Sequence, residues 1–134
     1  MILLDTNACI AALNGRPEAV GKRIAAAVTH RRSVSVSTIG VFELWYGIGK
    51  SAQVDCNIRA LEAFLGPLQV LAFDLEDGRI AGNIRAELER VGRPIGPYDY
   101  LIAAQALRHD LTLITAHEKE FSRVAGLRWE NWAA

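Results

Sequence analysis

Ile2-Leu3-Leu4-Asp5-Thr6-Asn7 runs three apolar residues straight into an acid, a hydroxyl and an amide. An apolar run without alternation suits a short strand buried on both faces. Asp5, Thr6 and Asn7 then offer turn and helix-cap chemistry. Strand first, helix at once after it: the same unit recurs outward along the chain. Ile10 and Leu13 carry a short helix to the stop signal Asn14-Gly15, and Pro17 suits the first position of the next. Val20, Ile24 and Ala27 or Val28 keep helical spacing as far as His30. Ser33 to Ser37 alternates with β-branched residues, which predicts a second strand. Ser37 or Thr38 is placed to cap a helix through Ile39, Phe42, Glu43, Leu44, Trp45 and Tyr46, loosened at Gly47 and Gly49.

Farther along, Val54, Ile58, Leu61 and Leu65 predict an amphipathic helix closed by Gly66-Pro67, and Gln69 to Phe73 a third strand. Ile80, Ile84, Leu88 and Val91 stripe a long helix that stops at Gly92. After the stiff loop Arg93-Pro94-Ile95-Gly96-Pro97, a helix starts near Tyr98 and runs to Arg108. Leu111 to Ile114 is a fourth strand ending at Thr115, Glu118 to Phe121 a short helix, and Leu127 to Trp129 a last strand. Short strands alternating with helices predict an α/β fold whose mainly parallel sheet is covered on both faces. The 134 residues show no repeat and no linker, so one domain over 1–134 is expected. Sites in such sheets lie beyond the carboxyl ends of the strands. That rule selects Asp5 and the region after Thr115.

Composition narrows the classes. With 51% hydrophobic and 22% charged residues the chain is expected to pack as a globule. No apolar run approaches the ~20 residues of a membrane span. The opening apolar stretch is too short for a signal peptide and lacks a basic start, so the cytoplasm is the expected compartment and no membrane contact is foreseen. Cys9 and Cys56 have neither CxxC nor Cys/His spacing and are expected to be two small core residues. Lys+Arg and Asp+Glu balance at 15 each, which argues against a protein that coats DNA. Twelve of the cations are Arg, suited to bidentate phosphate contacts.

Three acids stand in apolar settings on separate units. Asp5 ends an apolar strand, where a charge needs a cap role, a partner or an ion. Glu43 interrupts Val41-Phe42-Glu43-Leu44-Trp45-Tyr46, so it either points inward to a partner or lies on a narrow polar stripe. Asp99 falls in the first turn of a helix, where the dipole favours a carboxylate. Clustered carboxylates repel and raise one another's pKa, and a divalent cation removes that cost. Mg²⁺ and Mn²⁺ prefer oxygen ligands, and such an ion suits phosphodiester hydrolysis. Competing motifs are lacking: there is no phosphate-binding Gly-rich loop, no nucleophile elbow and no metalloprotease spacing among His30, His109 and His117. Asp5-Thr6-Asn7 faintly resembles the aspartyl loop of haloacid-dehalogenase-type phosphatases, but those carry a second acid where Asn7 stands.

Four blocks in order resemble the PIN-domain ribonucleases, specifically the VapC-type toxins of toxin–antitoxin modules. They are Ile2 to Asn7; Val36-Ser37 with Phe42 to Gly47; Gly92 to Asp99 with Leu101 to Ala104; and Thr112 to Thr115 with Glu120 to Val124. The resemblance runs from Met1 to Trp132. It implies a three-layer α/β/α PIN-like fold with a central parallel sheet. It implies Mg²⁺ or Mn²⁺ held mainly by Asp5 and Asp99, with Glu43 completing the acidic centre partly through water. It implies an endoribonuclease acting on structured RNA, tRNA being the commonest class, a homodimer, and a VapB-type antitoxin that places a basic side chain in the acidic pocket. One position departs from the family. Where it has Asp or Asn, this chain has His117, a nitrogen donor less suited to Mg²⁺. The fourth polar contact is then altered, shifted to Glu118 or Glu120, or dispensable; a place for His117 beside a ligand is favoured over direct ligation, with capping of the next helix as the plainer role. Thr6 and Ser37 are candidates to bond the acids or the phosphate, against a competing role as caps. An unassigned Arg is expected to balance phosphate charge. Two alternatives stand beside this reading: a non-catalytic PIN-like module that binds antitoxin or RNA, supported by His117, and an aspartyl-type phosphatase.

Overall fold

The chain in the computed structural model, described for residues 1–133, puts its first strand at the centre of a five-stranded sheet. In chain order the elements are β1 (Ile2–Leu4), α1 (Thr6–Asn14), α2 (Glu18–Thr29), β2 (Val34–Ser37), α3 (Thr38–Gly49) and α4 (Val54–Leu65). There follow β3 (Gln69–Leu71), α5 (Leu75–Arg90), α6 (Pro97–Arg108), β4 (Thr112–Ile114), α7 (Glu118–Phe121) and β5 (Trp129–Glu130). The strand order is β3-β2-β1-β4-β5, and every pairing is parallel. Leu4 lies opposite Val36 of β2 on one side and Ile114 of β4 on the other.

Side chains alternate across a strand, and β1 divides its three accordingly. Ile2 and Leu4 join one apolar cluster with Cys9, Val20, Ile24, Leu44 and Leu61, beneath α1 to α4. Leu3 joins the other, with Leu88, Ile102, Ala106, Leu113 and Phe121, beneath α5 to α7. A parallel sheet buried on both faces is what an apolar run without alternation calls for, and the expected three-layer α/β/α fold is observed.

Most element bounds agree with the sequence within a residue or two. Gly15, at φ 71°, stops α1 as a left-handed cap whose N–H reaches the carbonyl of Ala11. Pro17 sits one place outside α2 instead of in its first turn. The third strand ends at Leu71, two residues short of Phe73, and the last occupies Trp129–Glu130 rather than Leu127 to Trp129. Both are sheet edges, where pairing on one side only sets the length. Cys9 is buried as expected, but Cys56 is exposed on the outer face of α4. Spacing puts it beside the apolar stripe, not on it.

One polar cluster anchors the far end of α6. Asp77, fully buried, and Asp74 form a capping box at the start of α5. Arg108, in the last turn of α6, reaches both, at 2.8 Å to Asp74 and 3.1 Å to Asp77. Gln105 donates to the carbonyl of Leu71 at 3.2 Å. These bonds tie α6 to α5 and to β3, so the first turn of α6 is held at the opposite end, above the carboxyl ends of the strands.

Candidate metal centre

The chain crosses from β1 into helices on one face and returns through β4, whose own continuation serves the other. The carboxyl ends of β1 and β4 are therefore the switch point where a crevice forms. Asp5 caps α1 there, its Oδ1 accepting from the Ala8 amide at 2.7 Å. The Thr115 side chain, at the end of β4, stands beside it and favours the charged carboxylate. Thr115 Oγ1 in turn accepts from the backbone N–H of His117 at 2.9 Å, which orients the hydroxyl. Asp5 is 3% exposed, and burial pushes its carboxyl above the usual range against the pull of Thr115 and the Ala8 amide. Capping and a place in the acidic centre thus coincide in one residue.

Glu43, on α3, points inward to a partner: Thr6 donates its hydroxyl to Glu43 Oε1 at 2.5 Å. The alternative of a polar stripe is not what α3 shows, since Phe42, Trp45 and Tyr46 beside it are the exposed residues. Asp99 lies in the first turn of α6, its N–H bonded to the carbonyl of Gly96 at 3.0 Å. Its carboxyl is pushed up to about 6, first by burial, with His117 opposing and with Asp5, Glu43 and Glu120 adding repulsion. A Cβ on Gly96 would stand 3.0 Å from Asp99 Oδ2, so a larger residue there would press that carboxylate out of its place by a few tenths of an ångström.

Asp5, Thr6, Glu43 and Asp99 line one cleft of about 560 Å³, together with Asn7, Tyr46, Lys50 and Tyr98. Among the described residues, no three His, Cys, Asp or Glu side chains close into a cage around one point. The donors are hard oxygens from carboxylates and hydroxyls, and the one thiol nearby, Cys9, is fully buried beneath Asp5. That set fits a hard divalent ion that keeps several waters and takes one or two carboxylates.

Other expected residues fall elsewhere. Ser37 is fully buried and its hydroxyl accepts from the Ile39 N–H at 3.0 Å, so it caps α3 and has no surface toward the cleft. His117 occupies the cap position of α7 but makes no capping bond with its side chain. The Asn7 amide donates to its Nε2 at 2.8 Å instead. No Arg lines the cleft among the described residues; the cation there is Lys50. Thr115, Asn7 and Lys50 were not singled out from sequence. The strand-end rule pointed to the region after Thr115, but the Thr115–Asp5 and Asn7–His117 contacts join residues 110 apart, where no local pattern reaches.

The PIN domain profile matches residues 2–127. A tRNA(fMet)-specific endonuclease VapC from Shigella flexneri is 37% identical over 131 residues, covering 98% of this chain and 97% of that one. Ribonuclease VapC2 from Rickettsia felis is 35% identical over 97% of this chain and 96% of its own. Among solved structures, VapBC from Salmonella typhimurium bound to DNA superposes with a TM-score of 0.89 at 38% identity, covering 98% of this chain and 99% of that one.

Proposed function

This chain belongs to the PIN-domain family as a VapC-type toxin ribonuclease, and from that premise we propose that its acidic cleft hydrolyses phosphodiester bonds of structured RNA, tRNA in the first place. The single observation that carries the assignment of residues is the convergence of Asp5, Glu43 and Asp99, from β1, α3 and α6, on one cleft. PIN-domain nucleases of this kind depend on a divalent metal; in this reading the metal is Mg²⁺ or Mn²⁺, and Asp5 and Asp99 would hold it, with Glu43 completing the acidic centre. Such an ion, when bound, supplies charge to the phosphate and lowers the pKa of a water. Glu43, fixed by the Thr6 hydroxyl, would orient an attacking water and accept its proton. Asp5 is held in place by the Ala8 amide, with Thr115 beside it, which preorganises its carboxylate. His117, engaged by Asn7, stands beside the acids and does not ligate.

The partner in this reading is a VapB-type antitoxin, the relatives of known structure being VapBC complexes. An apolar groove between α1, α3 and α4, lined by Ile10, Leu13, Leu44 and Ile48, opens toward the cleft at Glu43 and Gly47. A helix seated in that groove reaches the acids with one basic side chain. The protein acts as one domain over residues 1–134 and as a homodimer in the cytoplasm. Among the described residues no helix is long and apolar enough to cross a membrane.

The test is cleavage of total tRNA by the partner-free protein with Mg²⁺, with Mn²⁺ and with EDTA, beside Asp99→Asn. Discrete fragments that need metal and vanish in the variant are expected. A folded protein that cuts no RNA under any metal overturns the reading.

A further inference from the structure

Between α5 and α6 the chain runs as a loop through Arg93, Pro94, Ile95 and Gly96. This loop is the wall behind Asp99. Gly96 is the cap residue of α6, and its carbonyl takes the Asp99 N–H at 3.0 Å. A Cβ on it would stand 3.0 Å from Asp99 Oδ2. Where the loop lies therefore decides where that carboxylate lies.

Pro94 and Pro97 stiffen the segment, but a proline ring fixes φ and does not tie the chain to its surroundings. Three contacts do. The Ile95 side chain is buried in the apolar cluster that holds Phe121 and Val124. The Ile95 N–H donates to the Tyr100 hydroxyl at 2.9 Å. Tyr100 is 2% exposed, and the Arg85 guanidinium of α5 stands 5.8 Å from its ring centroid. That bond is interior, so it does not depend on what covers the surface. Lastly, Arg123, two residues beyond α7, donates through Nη1 to the Pro94 carbonyl at 2.7 Å. Phe121 and Val124 beside it are core residues, so Arg123 is carried by a segment that is itself fixed. Its Nε is buried with no hydrogen-bond partner among the described residues. A buried donor left unmet is costly, and an arginine without a task at this place would turn that N–H to water.

We propose that Tyr100 and Arg123 clamp the Pro94–Gly96 loop, one from α6 and one from the segment after α7, and so set where the Asp99 carboxylate stands to receive a divalent ion. Both are positioning residues that act through Asp99. Their role rests on the reading above, in which Asp99 helps to hold the ion.

The test titrates Mn²⁺ into partner-free protein by calorimetry and measures kcat and KM for tRNA cleavage separately, with a thermal melt of each protein. The variants are Tyr100→Phe, Arg123→Met, Gly96→Ala and the double variant Tyr100→Phe/Gly96→Ala. Leu127→Ala thins the same apolar cluster without removing either hydrogen bond, and is the control for lost stability. Tyr100→Phe and Arg123→Met should each weaken Mn²⁺ binding and lower kcat roughly tenfold with KM unchanged, the scale for groups that orient metal ligands. Leu127→Ala should lower the melting temperature and leave Mn²⁺ affinity as it was. In the Gly96→Ala background Tyr100→Phe should cost far less than in wild type, because a freed loop can carry the new methyl away from Asp99 Oδ2. If Tyr100→Phe and Arg123→Met bind Mn²⁺ and turn over as wild type does, the clamp is refuted. If affinity falls only in step with melting temperature, and Leu127→Ala falls with it, the two residues are merely structural and the clamp is again refuted. A wild type that binds Mn²⁺ while the variants do not differ leaves the metal centre standing without the clamp; a folded wild type that binds none removes both.

Discussion

Thr6 holds Glu43 across a 2.5 Å hydrogen bond that joins the first turn of α1 to the middle of α3. Nothing else in the described structure donates to Glu43. Thr6→Val keeps the branched shape and removes the donor. Cleavage should fall about tenfold, the scale of one lost positioning bond to a charged group. The melting temperature should move little. A variant of unchanged rate would show that Glu43 needs no orientation by Thr6.

Asp99 is ionised in the unfolded chain above its ordinary 3.8 and in the folded chain only above about 6. Between those values the folded state binds more protons than the unfolded one, so stability declines as pH rises through the window. Asp99→Asn removes that slope. In metal-free buffer at neutral pH the variant should be more stable by about 1 kcal/mol, after discounting for the solvent that reaches the group. That is a few degrees in melting temperature, while cleavage is lost. Thermal melts from pH 4 to 8 in EDTA read the effect. Parallel profiles for the two proteins would sink the account.

Gly96→Ala is predicted to separate geometry from chemistry. The new methyl lies 3.0 Å from Asp99 Oδ2 and must displace it. The backbone at Gly96, φ −60° and ψ 147°, is open to alanine. Fold and stability should survive while kcat drops by an order of magnitude or more, the cost of misplacing a group by a fraction of an ångström. A fully active Gly96→Ala would mean that Asp99 tolerates movement.

For His117→Asn the expected outcome is retained or raised Mg²⁺-dependent cleavage, since the imidazole is engaged by Asn7 and asparagine restores an oxygen donor at that place. Initial rates in Mg²⁺ and Mn²⁺ are the measurement. A large loss would assign the imidazole a role of its own.

The alternation of elements was legible because β1 is apolar on both faces and each helix has its own stripe. Asp5, Glu43 and Asp99 drew notice because each is an acid set into apolar surroundings, and the fold brings the three to one cleft. Thr6 and Ser37 looked alike in sequence, each a hydroxyl at a strand end. Only the tertiary packing tells them apart, turning Thr6 to Glu43 and sealing Ser37 under α3. The place of Thr115 beside Asp5, and the bond of Asn7 to His117, arise from β1 lying against β4, a pairing that no local window contains. Cys56 was misjudged for a similar reason: a small residue near an apolar stripe says little about which side of a helix it takes.

The strand order makes the cleft depend on a pairing between distant parts of the chain. Among the described elements β1 comes first in chain order, yet one of its two neighbours, β4, comes only after α6. Leu113 of β4 covers Leu3, and Thr115 at its end stands beside Asp5. A chain that lacks β4 lacks the strand that covers Leu3 and stands beside Asp5, so the floor of the acidic cleft is complete only when the two distant ends of the domain have paired.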